Sequence, residues 1–565
     1  MIGAAREGTQ PGPAPAGEFE PKLLTVLREG YGLAALRADA LAGLTVAIVA
    51  LPLSMAIAMA SGVGPERGLF TAIVGGFLVS LLGGSRHQIG GPAGAFIVLV
   101  SACVMQIGLD GLILATFLSG VLLAAIGRAR LGGYVRFIPY PVTVAFSAGI
   151  GVIILASQMR DALGLDLGGA EPAAILPKLA ALWEARASFT PAAAALTAGT
   201  VALIVGLRRF RPGWPGMIIA IVLASGAVAA LGLPVETIGT RFGALPRLPP
   251  MPGLPEISPA TLIAALPWAG SFALLGAIES LLSATVADGM TGRRHRPNAE
   301  LVAQGVANMG SALFGGFCVT GTIARTATNV RAGALSPVSG MLHALWLLGF
   351  MVLAAPLAVH VPLAALAGVL IVVAWGMAER TAMIGLMRAS RADAAIVLVT
   401  FLLVVFRDLV EGIVAGAAIG GAVALRRIAE ATRLESAEAP PEDAPAPPGG
   451  RGAVAVWHLR GPWFFGTAAL LGAVLERIAD EPRAFVLDCS GVPFVDSSGL
   501  HALERLAARL ERRGGRLVLA GVGPELARGL DAAGLPEGRV WRAATIEAAR
   551  ARLDADEVPA AQAPA

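Results

Sequence analysis

The sequence predicts a polytopic α-helical membrane protein followed by a small α/β domain, and three observations predict it. Of its 565 residues 56% are hydrophobic and only 15% charged, with a mean hydropathy of +0.72. An average soluble domain carries ~25% charged residues, so a water-exposed surface of matching size could not be clothed. From about Asp39 to Ile428 the chain is a succession of apolar runs, each long enough to cross a bilayer core at ~20 residues, separated by short polar breaks. After Arg451 the pattern changes to short strand-like runs alternating with segments of helical period.

Composition also excludes several functions. The formal charge of +4 is too slight to argue for nucleic acid. The 3 Cys and 6 His are scattered, with no CxxC or HExxH spacing, which leaves no metal site, disulfide scaffold or zinc hydrolase to propose. No Ser/His/Asp or Cys/His arrangement appears, so an enzyme is not expected, nor is a cofactor.

Taken in order, residues 1–21 are polar and rich in Gly and Pro, lack the apolar run of a signal peptide, and are expected to be disordered. Residues 22–432 form the membrane domain. Residues 433–450, ending in AEAPPEDAPAPPGG, read as an extended Pro-rich linker. In residues 451–555, VAVWHL, AFVLDC and RLVLAG read as strands, and Leu500, Leu503, Ala507 and Leu510 recur on one helix face. Residues 556–565 form a disordered tail. Arg residues gather in alternate breaks (Arg86; Arg128, Arg130 and Arg136; Arg208, Arg209 and Arg211; Arg293, Arg294 and Arg296; Arg380, Arg388 and Arg391), which places those loops, both termini and the α/β domain in the cytoplasm.

Two apolar regions break where lipid should be: HQIGGPAGAFIVLV at His87–Val100 and GGFCVTGTIARTATNVRAG at Gly315–Gly333. Pro92 suits a first helical turn, Thr320 or Thr322 can cap the second helix, and Gly321 lets the chain bend. Unpaired backbone survives in hydrocarbon only where it lines an enclosed cavity. Two helix N-termini meeting near the midplane make an anion site, to which Arg325 adds a whole charge. The alternative is that Gly and Pro merely kink packed helices. Each break follows two apolar runs, one series beginning near Leu41 and the other near Leu266, as paired halves would. Glu279 sits mid-helix among apolar residues, either as a proton-coupling carboxyl facing Arg325 or as half of a structural Glu–Arg pair. Ser280 and Ser283 would satisfy backbone carbonyls, and Asp288 would be a solvated helix end.

On these residues the chain resembles the sulfate permease (SulP) family. The signatures are GLTVAIVALPLSMAIA (Gly43–Ala58), IGGPAGAFIV (Ile89–Val98), ESLLSATVADGMTGRRHRPNAELVAQGVAN (Glu279–Asn308) and TGTIARTATNVRAG (Thr320–Gly333). VLDCSGVPFVDSSGLHAL (Val486–Leu503) resembles a STAS domain. The resemblance implies 14 transmembrane segments as two inverted repeats of seven, an anion held between the third and tenth, elevator-type alternating access, a homodimer, and the bacterial inner membrane as location. The substrate cradle it implies is Gly91, Pro92, Ala93, Gly94 and Ala95 with Gly321, Thr322, Ile323, Ala324 and Arg325. Glu279 falls on the coupling-acid position. Relatives with Asp there are sodium-coupled bicarbonate transporters and Glu goes with protons. Ser283 stands in place of the sodium-site Thr and Ile323 brings no hydroxyl, which favours protons as coupling ion. Leu53 and Ile57 replace a Gln and a Tyr of the plant and animal pattern, and the wording around Glu279 and Arg325 is nearest to the bacterial C4-dicarboxylate type.

The resulting expectation is a proton-coupled symporter of small inorganic or dicarboxylate anions, sulfate or succinate among them. A passive channel or exchanger, a sodium-coupled bicarbonate transporter, and a sensor signalling through the STAS domain are the alternatives. In the DSSG loop, Ser497 and Ser498 are candidate regulatory residues. Phosphate at a helix start would be electrostatically welcome there, but Asp496 and Ser497 also make an ordinary cap, and a cytoplasmic protein could dock on this face.

Overall fold

The computed structural model describes residues 17–436 and 454–556, apart from 170, 173 and 212 in the first stretch and 468–483, 513 and 536 in the second; of residues 135–137 it describes the backbone alone. The chain divides into two compact units, 1–418 and 419–565.

Helix dominates the first unit because an apolar chain in hydrocarbon must satisfy its amides within its own segment. After the short α1 (Lys22–Glu29) come α2 (Leu33–Ala60), then α3 (Pro65–Phe70), which runs through a π turn at Thr71–Gly75 into α4 (Gly76–Leu82). A 3-10 turn at Gly94–Phe96 opens α5 (Ile97–Arg128), which is two helices joined at Gly108, whose φ of 71° suits glycine. Next are α6 (Tyr140–Leu163), α7 (Ile175–Glu184), α8 (Pro191–Phe210), α9 (Gly216–Leu231) and the single turn α10 (Ile238–Phe242). The second half holds α11 (Pro259–Thr291), α12 (Pro297–Leu313), α13 (Ile323–Arg331), α14 (Val338–Ala358), α15 (Leu363–Met377), α16 (Arg380–Ala389), α17 (Arg391–Phe406) and α18 (Leu409–Glu430). Among the described residues nine helices are long and apolar enough to cross a membrane. Prolines open α3, α8, α11 and α12, where a missing N–H costs nothing.

Packing sorts these helices into two groups. In one, α2, α4, α5, α11, α12, α13 and α14 pack on each other; in the other, α6, α8, α15 and α17 do. Glycine allows the closest approach: a Cβ on Gly305 of α12 would stand 2.6 Å from the Ala124 amide nitrogen of α5, and one on Gly120 2.6 Å from the Gly305 carbonyl. Residues 17–20, expected to be disordered with 1–21, are placed against the basic loops instead. Arg296 Nη1 donates to the Glu20 carbonyl at 2.6 Å, Glu18 pairs with Arg130 at 3.2 Å, and Arg86 pairs with Glu29. Residues 1–16 lie outside the described residues.

In the second unit the sheet order is β3-β4-β5-β6-β7, formed by Arg433–Ser436, Val454–Arg460, Ala484–Gly491, Arg516–Ala520 and Trp541–Ala543. β3 is antiparallel to β4 and the remaining pairs are parallel. Alternation along β5 sends Phe485 and Leu487 to the face covered by α19 (Ser497–Arg512) and α20 (Pro524–Ala532). Val486 points to the other face, against α21 (Ile546–Asp556). The expected linker therefore loses its first residues, 433–436, to a strand; 437–450 lie outside the described residues, as does most of the tail 556–565.

Candidate functional site

The two chain breaks meet. Strand β1 (Gly90–Gly91) pairs antiparallel with β2 (Thr320–Gly321), placing Gly90 opposite Gly321 and Gly91 opposite Thr320. The helices that follow, from Gly94 and from Ile323, thus start on opposite sides of a two-residue bridge buried inside the first unit. Pro92 lies ahead of the first helix rather than in its first turn, because Gly90 and Gly91 are spent on the bridge and Ala93 is the residue before the helix. Neither threonine caps with its side chain: Thr320 Oγ1 donates to the Gly276 carbonyl at 3.2 Å, and Thr322 Oγ1 to that of Ile89 at 3.3 Å. Both hydroxyls face a neighbouring segment of the chain and not their own helix. Gly321 is needed for closeness, not for a bend, since a Cβ there would stand 1.7 Å from Gln88 Nε2.

Arg325 occupies the first turn of α13 and is 2% exposed. Its Nη2 donates to Ser54 Oγ of α2 at 3.2 Å, whereas Nε and Nη1 have no partner. A Cβ on Gly91 would stand 1.9 Å from Nη1, so the guanidinium reaches the first break from the second. A guanidinium buried with two idle donors calls for an anion, because each unsatisfied buried donor costs ~1–3 kcal/mol. Of the other expected cradle residues, Gly91, Pro92, Ala93 and Thr322 are buried around the bridge. Ala95 packs into the apolar core, Gly94 and Ile323 are half-buried, and Ala324 is exposed.

Glu279 is half-buried on α11 and makes no ion pair with Arg325. Its neighbours are engaged. Ser283 Oγ donates to Thr326 Oγ1 at 3.0 Å, and Ser280 Oγ accepts from Gln88 Nε2 at 2.8 Å. These serines bind side chains rather than their own helix's carbonyls. Asp288, expected to be solvated, accepts from the His295 amide at 2.9 Å and holds the basic loop.

Sequence reading missed the residues that make the broken backbone tolerable. Glu300, fully buried on α12, accepts from the Gly84 and Ser85 amides at 2.8 and 3.1 Å, and from Gln304 Nε2 at 3.2 Å. Asn308 brackets Val319, donating to its carbonyl at 2.8 Å and accepting from its amide at 3.0 Å. Thr326 Oγ1 accepts from the Ile89 amide at 3.1 Å, and Asn329 Nδ2 donates to the His87 carbonyl at 2.9 Å. The available signal was a polar stripe at i, i+4 and i+8 (Glu300, Gln304, Asn308) along an otherwise apolar helix. In the second unit Asp496 caps α19, accepting from the Ser498 and Gly499 amides at 2.9 Å each; Ser497 is exposed and Ser498 half-buried.

Comparison with known proteins gives these features relatives. Residues 36–400 match the model of the sulfate permease family, and residues 449–549 that of the STAS domain. The chain is 39% identical over 504 residues to the protein named Putative sulfate transporter YvdB of Bacillus subtilis, covering 87% of this chain and 93% of that one. It is 30% identical over 499 residues to the Bicarbonate transporter BicA of a Picosynechococcus strain, covering 83% and 86%. The solved structure of the murine Slc26a9 anion transporter shares the fold with a TM-score of 0.82 over 97% of both chains, at 19% identity.

Proposed function

The chain belongs to the sulfate permease family, a family of transporters rather than enzymes, and on that premise we propose that it is a secondary active, proton-coupled symporter of small oxyanions. The observation that carries this reading is Arg325, buried where two half-helix starts meet and with two donors unspent. The helix starts and the guanidinium together favour a compact anion of one or two charges. Sulfate and bicarbonate, the solutes in the names of the two relatives, both fit that description, as does a C4-dicarboxylate.

Glu279 supports the proton. It stands half-buried without a cation beside it, on the helix that also carries the network joining Gln88, Ser280 and Glu300. Protonation there would leave the substrate charge as the dominant one in the site. Ser283 is spent on Thr326, which argues against a sodium ion at that hydroxyl. The two packing groups support an elevator in which the group bearing both half-helices slides against the other; counting α5 as two and α3 with α4 as one, and leaving out the short α1, α7, α10 and α16, the proposed spans number 14. We further propose a homodimer in the bacterial inner membrane with cytoplasmic termini, the side on which Arg86, Arg130 and Arg296 gather.

Uptake of labelled sulfate, bicarbonate and succinate into proteoliposomes, with pH and sodium gradients imposed independently, tests this. Acid outside should drive uptake and sodium should not. Arg325→Ala should lower uptake at least about a hundredfold, as expected for losing two or more charged hydrogen bonds. Glu279→Gln should remove the response to pH, and uptake indifferent to the proton gradient in the unsubstituted protein refutes the coupling.

A further inference from the structure

A cavity of about 320 Å³ opens where the two helix groups meet, at the end of the first unit away from Arg86, Arg130 and Arg296. Its wall on one group is mostly apolar, formed by Ala56 and Met59 near the end of α2 and by Val104 and Met105 of α5, with Ser101 of α5 as the polar side chain. Met59 is five residues beyond Ser54, the partner of Arg325, or about 8 Å along the helix at 1.5 Å per residue. The opposite wall carries the charged side chains, beside the apolar Leu363, Leu366 and Ala367 of α15. Gln158 and Arg160 come from the last turns of α6 and Lys178 from α7.

The unspent atoms in that wall are chiefly donors. Gln158 is 4% exposed, lines the cavity, and its Nε2 has no partner. Arg160 has an idle buried Nε and no carboxylate partner among the described residues. The remaining cations are matched: Lys178, 7% exposed, lies 2.8 Å from Glu171 Oε1 and donates to Ser157 Oγ at 2.7 Å. Arg241 pairs with Asp161 at 2.8 Å and with Glu236. Glu171 Oε1 accepts no aligned hydrogen bond, so Lys178 meets it as a charge and keeps protons to share. Among the charged side chains lining the cavity, Arg160, Lys178 and Arg241 outnumber Asp161 and Glu171 by one, Glu236 lying outside the lining with its side chain 61% exposed, and this excess beside the unpartnered Gln158 amide is an environment for an anion. The half negative charge at the end of α6 is smaller than the whole charge of Arg160 and does not reverse the sign.

We propose that this cavity is a second anion site, a waiting station that takes a small oxyanion on Gln158 Nε2 and Arg160 before it passes along α2 to Arg325. The station goes beyond the central site and requires neither proton coupling nor the Glu279 reading. Gln158 and Arg160 both lie on α6, in the group without half-helices, so in an elevator the station stays fixed while the central site moves toward and away from it.

The test uses the purified full chain, with sulfate and bicarbonate each titrated alone as probes. Arg325→Ala removes the central guanidinium and should leave one saturable binding event, read as ligand-dependent thermal stabilisation. Adding Gln158→Leu or Arg160→Met should weaken that event about tenfold, the usual effect of losing one hydrogen bond to a charged group. Should Arg325→Ala fail to fold, the same two substitutions in the unsubstituted background should raise half-saturation of uptake about tenfold. Lack of saturable binding of either anion in a folded Arg325→Ala protein, or half-saturation unmoved by both substitutions, overturns the proposal. Uptake by Arg325→Ala, measured in parallel, reports on the central site alone, so failure of one reading is distinguishable from failure of the other.

Discussion

At the scale of single residues the site is made by omission as much as by charge. Gly91 and Gly321 lack the atoms that would displace Arg325 Nη1 and Gln88 Nε2, standing 1.9 and 1.7 Å from where a Cβ would be. In both cases the obstructed atom is the far end of a flexible side chain, so the fold can yield where the site cannot. Gly91→Ala should therefore keep expression, monodispersity and thermal stability near those of the parent while lowering oxyanion uptake by more than about tenfold, the loss of one charged hydrogen bond. Equal loss of stability and uptake would show that Gly91 serves packing alone. Arg325 was legible in the sequence because an Arg in an apolar run has few explanations. The work of Gly321 was not, because a glycine that bends and a glycine that admits a neighbour are written with the same letter.

Among the elements, the breaks themselves were legible: Gly-Gly-Pro and Thr-Gly-Thr in hydrocarbon need a cause, and the cause is the β1–β2 bridge. The capping role assigned to Thr320 and Thr322 failed for a physical reason. A capping rule assumes that a helix start has no better partner than its own side chain, whereas here another chain segment lies within 3.3 Å. Equally hidden was α12, which lends Glu300 and Asn308 to the broken backbone and must press hard on α5 to do so. Gly305 and Gly120 set that approach, and a Cβ on Gly305 would meet the backbone of Ala124 at 2.6 Å, an obstacle that cannot swing aside. Gly305→Ala should lower thermal stability by about 1–3 kcal/mol, the usual cost of overpacking. Thermal unfolding in detergent reads this directly, and an unchanged melting temperature would mean that the α5–α12 crossing tolerates separation.

For the whole molecule, the two units are held by different forces and should respond differently to acid. The first buries apolar surface and satisfies its broken backbone with side chains. The second is a five-stranded sheet with helices on both faces, and at its centre Asp488 of β5 lies 2.7 Å from His458 Nδ1 of β4 and accepts from the Ser490 amide at 3.0 Å. Burial pushes the Asp488 carboxyl up, but the His458 contact and the Ser490 hydrogen bonds outweigh it and hold the group below its ordinary value of 3.8. A carboxylate depressed in the folded state stabilises the fold above its unfolded pKa, and that contribution disappears as pH falls through the folded value. The stabilisation is thus complete at neutral pH and fades below about pH 4. Amide exchange along β5 in the full chain should quicken as pH is lowered through that window, after correction for intrinsic rates. Asp488→Asn should start from weaker protection at pH 7 and lose less of it on acidification. Protection in α5 and α12, where no such pair bridges the elements, should be the same in both proteins; parallel loss in the two units would mean that their stabilities are coupled through α18.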